Sequence, residues 1–560
     1  MEPHSNTELI VSIDFGSSFT KVQHTISMSQ VVADYQPPVR SCTFEHHSGV
    51  GRSTTVPSVI QYGRSGDIVG WGFDPIVEGA VEIKGIKLCL PHEDDRMFDP
   101  ITYPVIAHAI QRRNDLGKTV LTVLTDFMTR LWQVCKPQII EDELDVSWRL
   151  IITHPVGWNT DKLEQAIDTA IVMPDQGNST YTICFQTEAE AALISELQPR
   201  ASLHRPTGQE THAQDNEIVV VADFGGLTVD IAGGRVSTQT DIPSVVWQGA
   251  PASRFCGASL LSDAFVKLLE NKARMLLQKL PSSDWFHQAL GRWQREIFPR
   301  LYLGSCYDLT FDVAQEDFKD SAKITHHRWA KDGKFPIHSV ELESMMEFYM
   351  EQATAAIQDQ INNLGKSNCT VNHLCLTGGF GQNKYVRSHV RQVAGTCGLH
   401  LLDHANITSS VQAVSRGAAL YGLYLSPANR RSGPDGQNSD VIILIGHDRI
   451  ILVHKGELMP RHTFKRIPIK GNLMRSCFQR ETGSYKLNVY STSPGGTLTS
   501  TACIIWQHFQ REVMPNDVCV LEIRLHRELG DGSLMSLIYS AHVAVFVNGV
   551  RQGLAQLSHH

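Results

Sequence analysis

Two stretches run apolar, β-branched residues into an aspartate and then into small residues: "LIVSIDFGSS" at 9–18 and "IVVVADFGG" at 218–226. A carboxylate leaving a buried strand at its carboxyl end stands where open α/β sheets bind ligands. Glycines directly after it let backbone N–H groups come close to a phosphate. Asp14 with Gly16, Ser17 and Ser18, and Asp223 with Gly225 and Gly226, can thus grip a polyphosphate from two sides. If the two carboxylates lie about 4 Å apart, they repel by roughly 4 kcal/mol at an effective dielectric near 20. A Mg²⁺ ion turns that repulsion into attraction, because it takes one or two carboxylates and fills its shell with phosphates and water. Asp14 and Asp223 are therefore the expected metal ligands. One such stretch is explained by a strand that merely ends on Asp; the repetition points to a duplicated half-domain.

The elements needed to hold these acids are legible around them. Residues 8–35 read as consecutive strands, with a turn at Gly16–Ser18. A helical stretch near 119–136 precedes the strand "WRLIITHPV" at 148–156, and a helix at 161–172 opens on Asp161. The strand "YTICFQ" at 181–186 feeds a helix over 187–197. After the strand at 218–222 come helices at about 258–280 and 340–364. Residues 371–393 then read as strand, glycine-rich turn and helix, and 409–425 as a closing helix with small residues on one face. Strands alternating with helices imply an α/β architecture with parallel neighbours. At 426–440 the sequence "SPANRRSGPDGQNSD" has linker composition. Beyond it, short strands with Gly- and Asp-containing turns imply a separate all-β domain over 441–560.

Composition narrows the function classes. At 560 residues the chain exceeds one core, and about two to four domains are expected. Its 42% hydrophobic and 19% charged residues are those of a globular protein, and its net charge of -8 with no basic run disfavours a nucleic-acid partner. The N-terminus "MEPHSNTELI" lacks a basic-and-apolar leader, and no apolar run reaches membrane length, so no membrane partner and a cytoplasmic location are expected. The 12 cysteines contain no CxxC pair and read as reduced core residues, and the 25 histidines include no convincing metal spacing.

In sum these motifs resemble the actin-like ATPase superfamily and, within it, the 70-kilodalton heat-shock (DnaK-type) family, closest to its divergent twelve-type branch. "IDFGSSFTKV" resembles the first phosphate loop, "VVADFGGLTVDI" the second, "CFQTEAEAALI" the first connector, "LTGGFGQNKYVRSHV" the adenosine loop and "QAVSRGAALYG" the closing connector. The resemblance spans about 1–425 and implies a duplicated ribonuclease-H-like, two-lobed domain, with lobes of about 1–215 and 216–400. It implies ATP or ADP and Mg²⁺ as cofactors. Asp14 and Asp223 would hold Mg²⁺ through waters, while Gly16, Ser17, Ser18, Gly225, Gly226 and Thr228 would meet the phosphates. Glu188 and Asp230 would position the attacking water, and Gly378 and Gly379 would lie against the nucleoside. "EIKGIKLCL" offers Lys87, or alternatively Lys84, as the phosphate-facing lysine. Glu296 and Arg300 of "REIFPRL" match two residues of the adenine-clamping helix. Catalysis by positioning and charge stabilisation suits phosphoryl transfer.

The departures bear on activity. Leu227 stands where the second loop has a third glycine; at φ > 0 it costs roughly 1–2 kcal/mol and crowds the phosphates. Pro299 replaces the clamp's lysine and disturbs a helix interior. Ala189 replaces the connector's proline. Within the β-region, "GELMPRHTFKRIP" at 456–468 is similar to the start of the family's substrate-binding sandwich, and "LEIRLHRELGDGSLMSLIYSA" at 521–541 to its final strands. No helical lid is expected, and with "LAQLSHH" rather than an acidic tail, co-chaperones that such a tail recruits are not expected partners. The expectation is an ATP-binding, slowly ATP-hydrolysing, chaperone-like protein with unfolded or extended polypeptide as partner. The alternative is a nucleotide-binding scaffold or sensor with little or no hydrolysis. A sugar-kinase-type activity lacks a candidate catalytic Asp.

Overall fold

The structure is a computed structural model. It describes residues 8–27, 38–46, 51–89, 104–139, 147–156, 158, 160–171, 181–197, 213–237, 244–302, 308–320, 322–403 and 411–425, together with the backbone of nine strands between 441 and 559. The fold is mixed α/β with several sheets. The expected linker at 426–440, and the part of the expected strand run at 28–35, lie outside the described residues.

In the first α/β unit, β1 (Glu8–Phe15) turns through Gly16–Ser18 into antiparallel β2 (Phe19–Ser27). Helices α1 (Pro104–Asp115) and α2 (Val120–Ile139) follow, then β3 (Ser147–His154), α3 (Asp161–Ala170), β4 (Tyr181–Thr187) and α4 (Glu188–Leu197). β3 lies parallel to β1, and β4 parallel to β3. All eight positions of β1 are buried, so both faces are covered, which is why it reads as a continuous apolar run rather than an alternation. Phe127, Leu131 and Trp132 of α2 pack on one face. Ala191 and Ala192 of α4 join Ile10, Ile151 and Cys184 on the other.

The second unit repeats this order. β5 (Ile218–Phe224) is antiparallel to β6 (Val229–Ser237) and parallel to β7 (Val371–Thr377), which is parallel to β8 (His400–Asp403). Its longer helices are α5 (Ala258–Leu276), α6 (Ser283–Arg292), α7 (Ser339–Lys366) and α8 (Lys384–Cys397). In both units the hairpin's second strand carries a further antiparallel strand, Arg40–Ser41 on β2 and Ser244–Trp247 on β6. The two units thus share one strand order around their acidic strand ends. α5 stops four residues before its expected end, because Leu277 becomes extended and bridges Phe318. Past α6 the chain passes through a π turn at Trp293–Ile297 into a 3₁₀ turn at Phe298–Arg300, the break that Pro299 demands.

The closing helix α9 (Ala413–Leu425) crosses α4 at very short range. A Cβ on Gly417 would stand 1.6 Å from the Ala191 carbonyl oxygen, and one on Gly422 would stand 2.4 Å from Ile10 Cγ2. The small face read from the sequence is what permits the crossing. The Ser12 hydroxyl donates to the Ser415 carbonyl at 2.8 Å and ties α9 to β1.

The described residues from 441 onward are strands only, joined antiparallel. Their hydrogen bonding is not confined to that region. His462–Lys470 pairs with Val518–Arg527 on one side and with β4 on the other, from Tyr181↔Arg466 to Cys184↔Thr463. β4 is the outer parallel strand of the first sheet, and this pairing satisfies an edge that would otherwise be bare.

Candidate functional site

The β1–β2 hairpin sets the first half of the site. Its register places Asp14 opposite Lys21, and Lys21 Nζ lies 2.7 Å from Asp14 Oδ2. Gly16 is required by the turn, since a Cβ there would sit 2.2 Å from the Phe19 carbonyl oxygen. The Ser58 hydroxyl donates to the Gly16 carbonyl at 2.7 Å.

The second half repeats this on β5, β6 and β7. Asp223 is opposite Asp230 across the antiparallel pair and beside Thr377 across the parallel pair. Gly225 N–H donates to the Thr228 carbonyl at 2.9 Å, closing the turn, and the Thr228 hydroxyl donates to Asp230 Oδ2 at 2.8 Å. Gly378 has φ +86, and a Cβ on it would come within 2.3 Å of Asp223 Oδ1. Glycine there keeps the backbone against the carboxylate, while Gly379 opens the 3₁₀ turn at Phe380–Gln382.

The two turns touch. Ser18 Oγ is 3.0 Å from Ser259 Oγ at the start of α5, and a Cβ on Gly226 would stand 1.9 Å from Ser18 Oγ. Ser17 lies within the first turn, between Gly16 and Ser18.

Lys87, on the 3₁₀ turn Ile86–Cys89, forms a buried ion pair with Glu188 at the first turn of α4. Of the two lysines left open by the sequence, Lys87 is the one inside; Lys84 is 57% exposed and pairs with Glu82. Four carboxylates (Asp14, Glu188, Asp223 and Asp230) thus share the site with two ammonium groups, Lys21 and Lys87. Ionised together they leave two uncompensated negative charges. Burial, then Asp230 and Asp14, push the Asp223 carboxyl up to about 7. Burial likewise pushes Glu188 up to about 8, against the pull of Lys87, and raises Asp230. Burial works against the Lys87 ammonium, but Glu188 and then Asp14 outweigh it and hold the proton. A cavity of about 180 Å³ opens beside Glu188, Asp223 and Asp230, with Ala189, Trp158 and Ser253 in its wall.

Among the described residues no three or more His, Cys, Asp or Glu side chains converge as a metal cage. The donor set nonetheless fits a hydrated divalent cation, whose two charges match the excess and whose shell needs only one or two carboxylates.

Two expected residues stand apart. Glu296 is 56% exposed and pairs loosely with Arg292, and Arg300 is exposed. Their segment does reach the glycine turn after β7: Asn383 Nδ2 donates to the Phe298 carbonyl at 2.6 Å, and the Phe298 and Phe380 rings lie 5.7 Å apart. Leu227 corrects the sequence-based concern. Its φ is not positive, and its side chain is 2% exposed, packed with Ile110, Val120, Trp158, Phe255 and Leu260.

Sequence reasoning missed Lys21, Ser58 and Ser259. For Lys21 a signal existed: a tight turn at Gly16–Ser18 pairs Asp14 with Lys21 by counting across the hairpin. No protein-family model matches the chain, and no curated protein matches it significantly. Among the described residues no helix is long and apolar enough to cross a membrane.

Proposed function

We propose that residues 8–425 form an actin-like, two-lobed nucleotide-binding unit holding Mg-ATP where the two acidic strand ends meet. On this proposal the protein is an ATP-binding, slowly hydrolysing, chaperone-like member of the 70-kilodalton heat-shock family, in which the strands of 441–559 engage extended polypeptide. One observation carries it: strand-end carboxylates from both repeats, Asp14 and Asp223, share a buried cluster with two excess negative charges beside two phosphate-fitting turns.

Asp14 and Asp223 would hold the cation through its waters, and the cation, when bound, supplies charge neutralisation to the phosphates. The Gly16–Ser18 and Gly225–Thr228 turns offer backbone N–H groups and hydroxyls to phosphate oxygens. Lys87 would balance charge developing on the terminal phosphate. Glu188 and Asp230, the latter oriented by the Thr228 hydroxyl, would accept hydrogen bonds from the attacking water and take up its proton. Gly378 and Gly379 would lie against the nucleoside.

The scaffold alternative, with little or no hydrolysis, is favoured by the engagement of Lys87 with Glu188, which occupies two of the expected catalytic groups with each other. Single-turnover hydrolysis of ATP by the purified chain, with and without unfolded peptide, separates the two. A slow, peptide-stimulated turnover supports the first, and tight binding without turnover supports the second.

A further inference from the structure

Leu227 joins two parts of the molecule that are otherwise remote in sequence. Its backbone belongs to the second unit and is tightly held there: Gly257 N–H donates to the Leu227 carbonyl at 3.0 Å, and Ser259 N–H to the Gly226 carbonyl at 2.7 Å. The first amides of α5 thereby pin the turn. The side chain, however, buries itself against the first unit, on Ile110 of α1, Val120 of α2 and Trp158, with Phe255 and Leu260 closing the cluster from its own side. Its Cδ1 also lies 3.4 Å from where a Cβ on Gly85 would stand, and Gly85, at φ +69, is the bend two residues before Lys87.

We infer that Leu227 is a positioning residue that clamps the segment carrying Lys87 to the phosphate-facing turn of the second unit, and so sets how fast the cleft opens to release nucleotide. This rests on the nucleotide-binding proposal above. For nucleotide to leave, the two turns must part, and the apolar cluster at 110, 120, 158 and 227 must be exposed to water as they do. A cluster broken in the open state but intact in the closed one acts on the dissociation rate. The clamp needs the side chain's volume rather than its identity, so Leu227→Met preserves it and Leu227→Ala does not.

The test is stopped-flow release of fluorescent ADP from the full chain, paired with hydrogen exchange of residues 104–115 in the nucleotide-free protein. Leu227→Ala and, from the opposite side, Ile110→Ala are expected to speed release about tenfold, which corresponds to about 1.4 kcal/mol. The double variant should release less than additively fast, Leu227→Met should restore the original rate, and α1 should exchange faster in both alanine variants. Unchanged release with a lowered melting temperature would overturn the clamp and leave Leu227 as core packing alone, as would exchange that accelerates uniformly over the whole chain. A wild-type chain that takes up no nucleotide would remove the nucleotide proposal instead, and exchange at 104–115 would still decide whether the clamp exists.

Discussion

Lys87 and Glu188, 101 residues apart in the chain, meet as an ion pair with both side chains more than nine-tenths buried. The pair sits at the start of α4 and among three further carboxylates, so neither partner is replaceable alone. Removing one charge of a buried pair costs about 3–5 kcal/mol, because the other is left uncompensated. Lys87→Met should therefore lower the denaturation free energy by about 3 kcal/mol, with Glu188 taking up a proton. Lys87→Met with Glu188→Gln should recover most of that loss. Chemical denaturation of the three proteins checks this, and a double variant no more stable than the single one would contradict it.

The excess of negative charge predicts a pH dependence with a definite sign. The Asp223 carboxyl is raised to about 7, so the native state holds a proton that the unfolded chain has released above its ordinary carboxylate range near 4. Where the native state binds more protons, stability falls as pH rises. The denaturation midpoint should thus decline between about pH 4 and pH 7. The decline should be shallower in Asp223→Asn and shallower again with saturating magnesium, which displaces the protons. Midpoints that stay level or climb through that window would show that the cluster is not proton-loaded.

The crossing of α9 over α4 predicts a packing defect with a remote consequence. Gly417→Ala drives a methyl into the Ala191 carbonyl, so the helices must separate. Overpacking of this kind costs about 1–3 kcal/mol. Since Glu188 opens α4, nucleotide binding should weaken alongside the melting temperature. Exposed Gly395→Ala on α8, where nothing lies within 4 Å of the added carbon, serves as the control and should be neutral or stabilising. Equal behaviour of the two variants would exclude a tight crossing.

Much of this architecture was readable in the residues, for physical reasons that also mark where the reading stopped. Asp14 and Asp223 announced themselves because both strands are buried on two faces, and a carboxylate ending such a run is conspicuous. Gly417 and Gly422 were visible as a small-residue face on a helical period. Leu227 misled because its neighbours fit a glycine turn; its side chain is buried with Ile110 and Trp158, which only the folded chain brings to it. The inward direction of Lys87 rather than Lys84 depends on the bend at Gly85, whose φ of +69 no local pattern fixes. The strand pairing of His462–Lys470 with β4 joins segments almost 300 residues apart, beyond the reach of periodicity.

Calorimetric titration with ATP reads out whether the two acidic strand ends hold one magnesium-bound nucleotide between them. Magnesium should tighten ATP binding to the wild-type chain, and Asp14→Asn or Asp223→Asn should each remove most of that gain, about tenfold or more in affinity and about 1.4 kcal/mol or more in free energy. ATP affinities that are equal with and without magnesium, and unmoved by either substitution, would contradict it.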